Sequence, residues 1–308
     1  MDEQVPKGRK WLTIALLTIP VWLLASGGFG VWLYFQHQAE KEREEVARFS
    51  QNVSSGALEK DLRTLAFSIG ERNPAANSGK GLTQTAAWIE GSLGPSNAGY
   101  PVKHLAGPVE GKNSWPLLWL TVRGAKPEAP AIWVMAAYDS PVSSRGVEAD
   151  ATAVVAGMAA AQALAADKPQ RSVHFLFVPH GNSRSELAGQ TLSKVRQLVQ
   201  TEGNPLAVVC LDAMGAGEAL WVSSRDTENA VLPTVGTLGK IVGAEVICLN
   251  DGHDLSSELF TLGLPAVRVA TRAPLAEGES DETLPQADVF AASTGRLVEW
   301  IRRISALP

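Results

Sequence analysis

Cysteine, tyrosine, methionine and histidine are all scarce: the 308-residue chain has 2, 3, 4 and 5 of them. Two cysteines cannot build a disulfide framework. Cys210 and Cys248 each lie in an apolar, strand-like run, so a single bridge and two separate buried thiols are both open. Positive charge is not in excess either. A net charge of −5 argues against nucleic acid as a partner, because phosphate binding favours a basic face. There is no internal repeat and no low-complexity segment. Apolar content, at 45%, is enough for one large core or a core plus a membrane segment.

A further absence is local. Residues 11–35 hold no Lys, Arg, Asp or Glu, a run longer than the ~20 residues that cross a bilayer as a helix. Pro20 implies tilt or a slight kink. Lys7, Arg9 and Lys10 precede the run, which orients residues 1–10 toward the cytoplasm and all that follows away from it. Trp11, Trp32 and Tyr34 stand near its ends, as interfacial aromatics do. Ala25-Ser26-Gly27 has the small residues of a signal-peptide cleavage site, but apolar character resumes from Phe29 to Phe35. The expectation is an uncleaved, single-pass cell-membrane anchor. Residues 36–56 then form a polar stalk, and residues 57–308 one extracytoplasmic globular domain.

Strands and helices alternate through that domain. Leu117 to Val122, Ala131 to Met135, Ser172 to Val178, Ala207 to Leu211 and Pro265 to Ala270 are short apolar runs that read as strands. Leu58 to Ala66, Thr152 to Ala166 and Thr283 to Ser305 read as helices. Strands buried on both sides and separated by helices predict an α/β three-layer sandwich around a mainly parallel mixed sheet.

Several short motifs occur in a fixed order: Ile69-Gly70-Glu71-Arg72-Asn73, Gly99-Tyr100-Pro101-Val102, Ala136-Ala137-Tyr138-Asp139-Ser140, Leu211-Asp212-Ala213-Met214-Gly215 and Gly263-Leu264-Pro265-Ala266. Together they resemble the zinc aminopeptidase family (peptidase family M-28) over roughly Leu58 to Ile304. The resemblance implies a zinc-exopeptidase-like fold. It also implies a site where His, a bridging Asp, a Glu, a further Asp and a late His hold two zinc ions beside a Glu general base. Such a pair lowers the pKa of a shared water and clamps the tetrahedral oxyanion while the Glu takes the proton.

This chain departs from that set at nearly every position. Ala137 stands where the resemblance implies the first His, although Asp139, which would orient that His, is kept. The bridging Asp falls on Ala149, with Asp150 one residue out of register; the Glu pair falls on Gly181 and Asn182, and the late His on Ser256. Asp212 alone matches a ligand. Ala137, Ala149, Gly181, Asn182 and Ser256 are therefore degenerate positions, and Asp139 and Asp212 retained ones.

Three readings follow. The first is a membrane-anchored, catalytically inactive aminopeptidase-like domain, a pseudoenzyme with no cofactor, acting in binding or assembly with a protein partner. Its candidate contact loops are Pro179 to Gly189 and Asp251 to Glu258. The second is a metal-dependent peptidase or related hydrolase with a rearranged zinc site of Asp150, His180, Asp212 and His253. The third, a serine hydrolase using Ser140, Ser183 or Ser185 with His180, lacks the Gly-x-Ser-x-Gly elbow. Trp115, Trp119, His104 and His174 are expected to pack, and Gly278 to Glu282 to form a solvated acidic loop.

Overall fold

The computed structural model describes residues 18–19, 22, 26–37, 53–181, 186–235, 242–245, 254–276 and 278–307, with 242–245 described for the backbone only. Two compact units divide the chain, Met1–Ala47 and Arg48–Pro308. In the first, residues 26–37 are helical, and the rings of Phe29 and Trp32 stack at 5.6 Å. Among the described residues no helix is long and apolar enough to cross a membrane. Of the expected span at 11–35, only residues 18–19, 22 and 26–35 are described.

The second unit is built on an eight-stranded mixed sheet. Its strands are β1 (Lys103–Leu105), β4 (Leu117–Val122), β5 (Ile132–Ala137), β6 (Val173–Val178), β7 (Ala207–Leu211), β8 (Leu220–Ser224), β9 (Val242–Glu245) and β10 (Ala266–Ala270). A separate two-stranded ribbon joins β2 (Val109–Glu110) to β3 (Asn113–Ser114). The order in the large sheet is β1-β4-β6-β5-β7-β10-β8-β9. The central four, β6, β5, β7 and β10, run parallel, while β4 and β8 flank them antiparallel.

Alternation along each strand divides the core in two. Ile132, Val134 and Ala136 of β5 enter the larger cluster, with Phe175, Phe177, Val209, Val267 and Val269. Helices α1 (Ser55–Arg63), α2 (Lys80–Leu93), α3 (Thr152–Ala163) and α6 (Ala287–Ser305) contribute Leu62, Ile89, Val154 and Trp300 to it. Trp133, Met135 and Ala137 point the other way, into a cluster with Val195 and Val199 of α4 (Glu186–Glu202) and Leu259 of α5 (Leu255–Thr261). The expected three layers are thus present.

Several boundaries differ from expectation. The first helix spans Ser55–Arg63, capped by Ser54, and a π-helical turn, Thr64–Ile69, continues it. Two stretches expected as loops are partly helix: α4 begins at Glu186 and α5 at Leu255. The 278–282 segment is not simply solvated. Asp281 is buried and accepts backbone N–H bonds from Glu148 and Ala149, and Glu282 pairs with Arg145.

Candidate functional site

In an open α/β sheet, ligands collect beyond the carboxyl ends of the strands, where the chain order reverses. Here β6 lies on one side of β5 and β7 on the other, which puts that crevice at the ends of β5, β6, β7 and β10. Ala137, His180, Asp212 and Arg272 all lie at or just past these ends.

The loop that leaves β5 is held by Arg72. Its buried guanidinium donates to the carbonyls of Tyr138 (3.1 Å), Gly70 (2.9 Å), Arg145 (2.6 Å) and Gly146 (3.1 Å), and Ser140 Oγ accepts from its backbone N–H at 2.9 Å. Ser140 is thereby committed to the loop, its hydroxyl donating to Ser144 O at 2.8 Å. Gly146, at φ 55°, lets the chain pass between Arg72 and Asp150. A Cβ there would strike Asp150 Oδ2 and lie 3.1 Å from Arg72 Nη2.

Ala149 and Asp150 belong to the π-helical turn Val147–Ala151. Ala149 contributes backbone only, with its N–H bonded to Asp281 and its carbonyl accepting from Ala213 at 3.1 Å. Asp150 is 4% exposed, and its Oδ2 has no hydrogen-bond partner. Burial holds its carboxyl well above the usual range; the nearby Asp139 adds to this, and Arg72 opposes it.

At the first His position, Ala137 faces the backbone of Gly181. A Cβ on Gly181 would collide with the Ala137 methyl carbon. The two positions where the resemblance implies an imidazole and a carboxylate are therefore closed on each other. Asp139 is also committed here, accepting the Gly181 N–H at 2.8 Å. His180, at φ 57°, is buried with its ring edge-on to Trp115 at 5.4 Å. Its Nε2 has no partner, and burial lowers its pKa to about 4.

Asp212 leaves β7 and meets Arg268 of β10, the adjacent parallel strand. Arg268 Nε and Nη2 each stand 2.7 Å from Asp212 Oδ2. The arginine side chain is 2% exposed and the aspartate 26%, so the carboxylate at the position where the resemblance implies a ligand faces a buried internal cation. Arg268 Nη1 also donates to Arg272 O at 2.9 Å. Arg272 in turn bridges Glu148 (3.0 Å) and Glu279 (2.6 Å). Ser256, where the resemblance implies the late His, is buried in the first turn of α5 and donates to Asp254, the cap of that helix.

Asn182 and His253 lie outside the described residues, as do Ser183, Ser185, Asp251 and Cys248. Cys210 is a buried free thiol, its pKa raised by burial and by the Asp254 and Asp212 carboxylates. Among the described residues no group of three or more His, Cys, Asp and Glu is placed to hold a metal ion. Asp150, His180 and Asp212 have the separate surroundings given above.

Arg268 and Arg272 were not singled out from sequence, and Asp281 was read only as part of a solvated acidic loop. A charged residue inside the apolar run Ala266-Val267-Arg268-Val269-Ala270 was nevertheless a signal, because a buried guanidinium requires a partner.

No protein-family model and no curated protein matches the chain. Solved structures do match in fold. The Legionella pneumophila LapA aminopeptidase superposes with a TM-score of 0.65 at 17% identity, covering 86% of this chain and 75% of its own. A glutaminyl cyclase from an Acidobacteriales bacterium gives 0.62 at 13% identity, over 82% and 94%. A Zn-dependent exopeptidase from Parabacteroides distasonis gives 0.60 at 10% identity, over 81% and 98%. The domain therefore has the α/β fold of the zinc-dependent aminopeptidases and the glutaminyl cyclases that share it.

Proposed function

We propose that the chain is a membrane-anchored pseudoenzyme: an aminopeptidase-fold domain without hydrolytic activity, acting in the binding or assembly of a membrane-associated complex. The relation that carries this reading is Arg268 against Asp212. The metal-holding carboxylate of the fold is here neutralised by a side chain of the protein itself, at 2.7 Å. Ala137 closed on Gly181, with Ala149 and Ser256 in the remaining positions, leaves no second donor among the described ligand positions. These residues do not fit a zinc pair, and no step is routed through one.

The anchor is residues 11–35, with residues 1–10 cytoplasmic and the domain on the far side of the membrane. Its support is the uncharged run and the preceding Lys7, Arg9 and Lys10. The partner is a protein rather than nucleic acid, in keeping with the net charge of −5. The rearranged metallohydrolase has less support, because Asp212 is already paired and Asp150 lies in the field of Arg72.

Purified full-length chain, assayed with aminoacyl anilides and N-terminal glutaminyl peptides in the presence of zinc, is expected to show no turnover above buffer. Cross-linking in intact membranes is expected to give a discrete larger species. Zinc-dependent turnover that Asp212→Asn abolishes would refute the reading.

A further inference from the structure

The amino ends of the same strands hold a second feature. Among the described residues, α4 and α5 are the helices that cover the smaller core cluster, and next to it a cleft of about 730 Å³ opens over β4 and β6. It is separated from the crevice described above by the six residues of β5, about 20 Å of strand. That volume lies in the range of small-molecule sites, roughly 300–1,000 Å³.

The floor of the cleft is a layered aromatic group. The His174 ring stacks on Trp133 at 4.3 Å and meets Trp119 edge-on at 5.6 Å. Trp119 and His174 both line the cleft. Trp119 Nε1 donates to His174 Nδ1 at 3.2 Å, and Thr121 Oγ1 stands 2.9 Å from the same nitrogen. Indole N–H is only a donor, so Nδ1 accepts and the proton of the neutral imidazole resides on Nε2. Burial and Lys103 lower the His174 pKa to about 4, which maintains that neutral tautomer at physiological pH. The expectation that His174 packs is thus met at Nδ1, and the imidazole proton resides at Nε2 of a ring that lines the cleft.

Two cations line the same cleft. Lys103 places its ammonium 4.1 Å from the centre of the Trp119 ring, and Arg123 also lines the cleft. Glu128 and Glu202 line it too, so total charge does not select a ligand. The local arrangement does: a fixed N–H donor and an ammonium around one indole favour an anionic group with two acceptor oxygens. Pro101, Pro127 and Pro130 supply apolar wall for the body of the ligand.

We propose that this cleft binds a small organic carboxylate, its carboxylate received by His174 Nε2–H and Lys103 and its apolar part lying along Trp119. The proposal is independent of whether the opposite crevice has any activity. A domain of this kind would bind a metabolite-sized acid at the end of the sheet remote from the aminopeptidase crevice.

Benzoate is the test probe, with benzamide as a neutral isostere and inorganic phosphate as an anion without a ring. Titrations of the full-length chain are followed by tryptophan fluorescence and by the ¹⁵N resonance of His174 Nε2. The expected result is saturable benzoate binding at millimolar concentration or tighter, with a shift at Nε2. A loss of about tenfold or more is expected in Lys103→Met, the size of one charge-assisted hydrogen bond. Lys103 is exposed, so this variant keeps the fold, and Lys112→Met, outside the cleft, should bind as the parent does. Equal binding of benzamide, binding of phosphate as tight as benzoate, unchanged affinity in Lys103→Met, or no shift at Nε2 would each overturn the proposal.

Discussion

Arg268 and Asp212 meet across adjacent parallel strands, with two guanidinium nitrogens 2.7 Å from a single carboxylate oxygen. The cation beside the Asp212 carboxylate is thus one the chain itself supplies. Removing one partner of such a pair is expensive, about 3–5 kcal/mol when both are buried. Asp212 is 26% exposed, so Asp212→Asn is expected at the lower end of that range and Arg268→Met no higher. Urea denaturation should show the double variant losing less than the sum of the two. Strict additivity would mean that the pair is not coupled.

The contact between Gly181 and Ala137 predicts a steric result. Gly181→Ala forces a methyl group onto Ala137 and should destabilise the domain by about 1–3 kcal/mol, the usual cost of overpacking. Adding Ala137→Gly to that variant removes the colliding carbon and should recover part of the loss. Denaturation midpoints of the three variants test this. A fully stable Gly181→Ala would show that the crevice is open at this point.

Asp281 predicts a pH dependence. Burial raises its pKa from 3.8 to about 6, against the opposing hydrogen bonds from the Glu148 and Ala149 N–H groups. The folded state therefore binds the proton more tightly than the unfolded chain. Its contribution is complete below about pH 4 and is lost as pH rises through about 6. Relative to Asp281→Asn, the parent should lose about 2–3 kcal/mol between these limits, from roughly 1.4 kcal/mol per pKa unit. Denaturation at pH 4.5 and pH 7.5 checks the sign.

His180 should be neutral above about pH 5, well below the usual imidazole range. Its pKa of about 4 implies stability that is complete above the unfolded value of 6.5 and lost as pH falls through about 4. An imidazole resonance of His180 that titrates above pH 6 would contradict its burial against Trp115.

The sheet was largely legible because its strands are uninterrupted apolar runs. Leu117 to Val122 and Ala207 to Leu211 fall on β4 and β7 residue for residue. Helix α4 was missed because its exposed face is polar, although Ala188, Leu192, Val195 and Val199 repeat at helical spacing and are buried. β8 escaped because its five residues form neither an apolar run nor an alternation: Trp221 is exposed, and Ser223 and Ser224 are buried. At the crevice, the substitutions at Ala137 and Gly181 were legible as identities. Their closure on each other was not, because it depends on the backbone path around His180. The role of Asp281 was hidden for a similar reason: its backbone donors at 148 and 149 are far away in sequence.

The proposed pseudoenzyme keeps Asp212 paired with Arg268 and assembles no zinc pair. Zinc content of the full-length chain, measured by elemental analysis after equilibration with excess zinc and desalting, tests it most directly. The account predicts less than about a tenth of an equivalent per chain. About one or two equivalents, lost on Asp212→Ala, would contradict it.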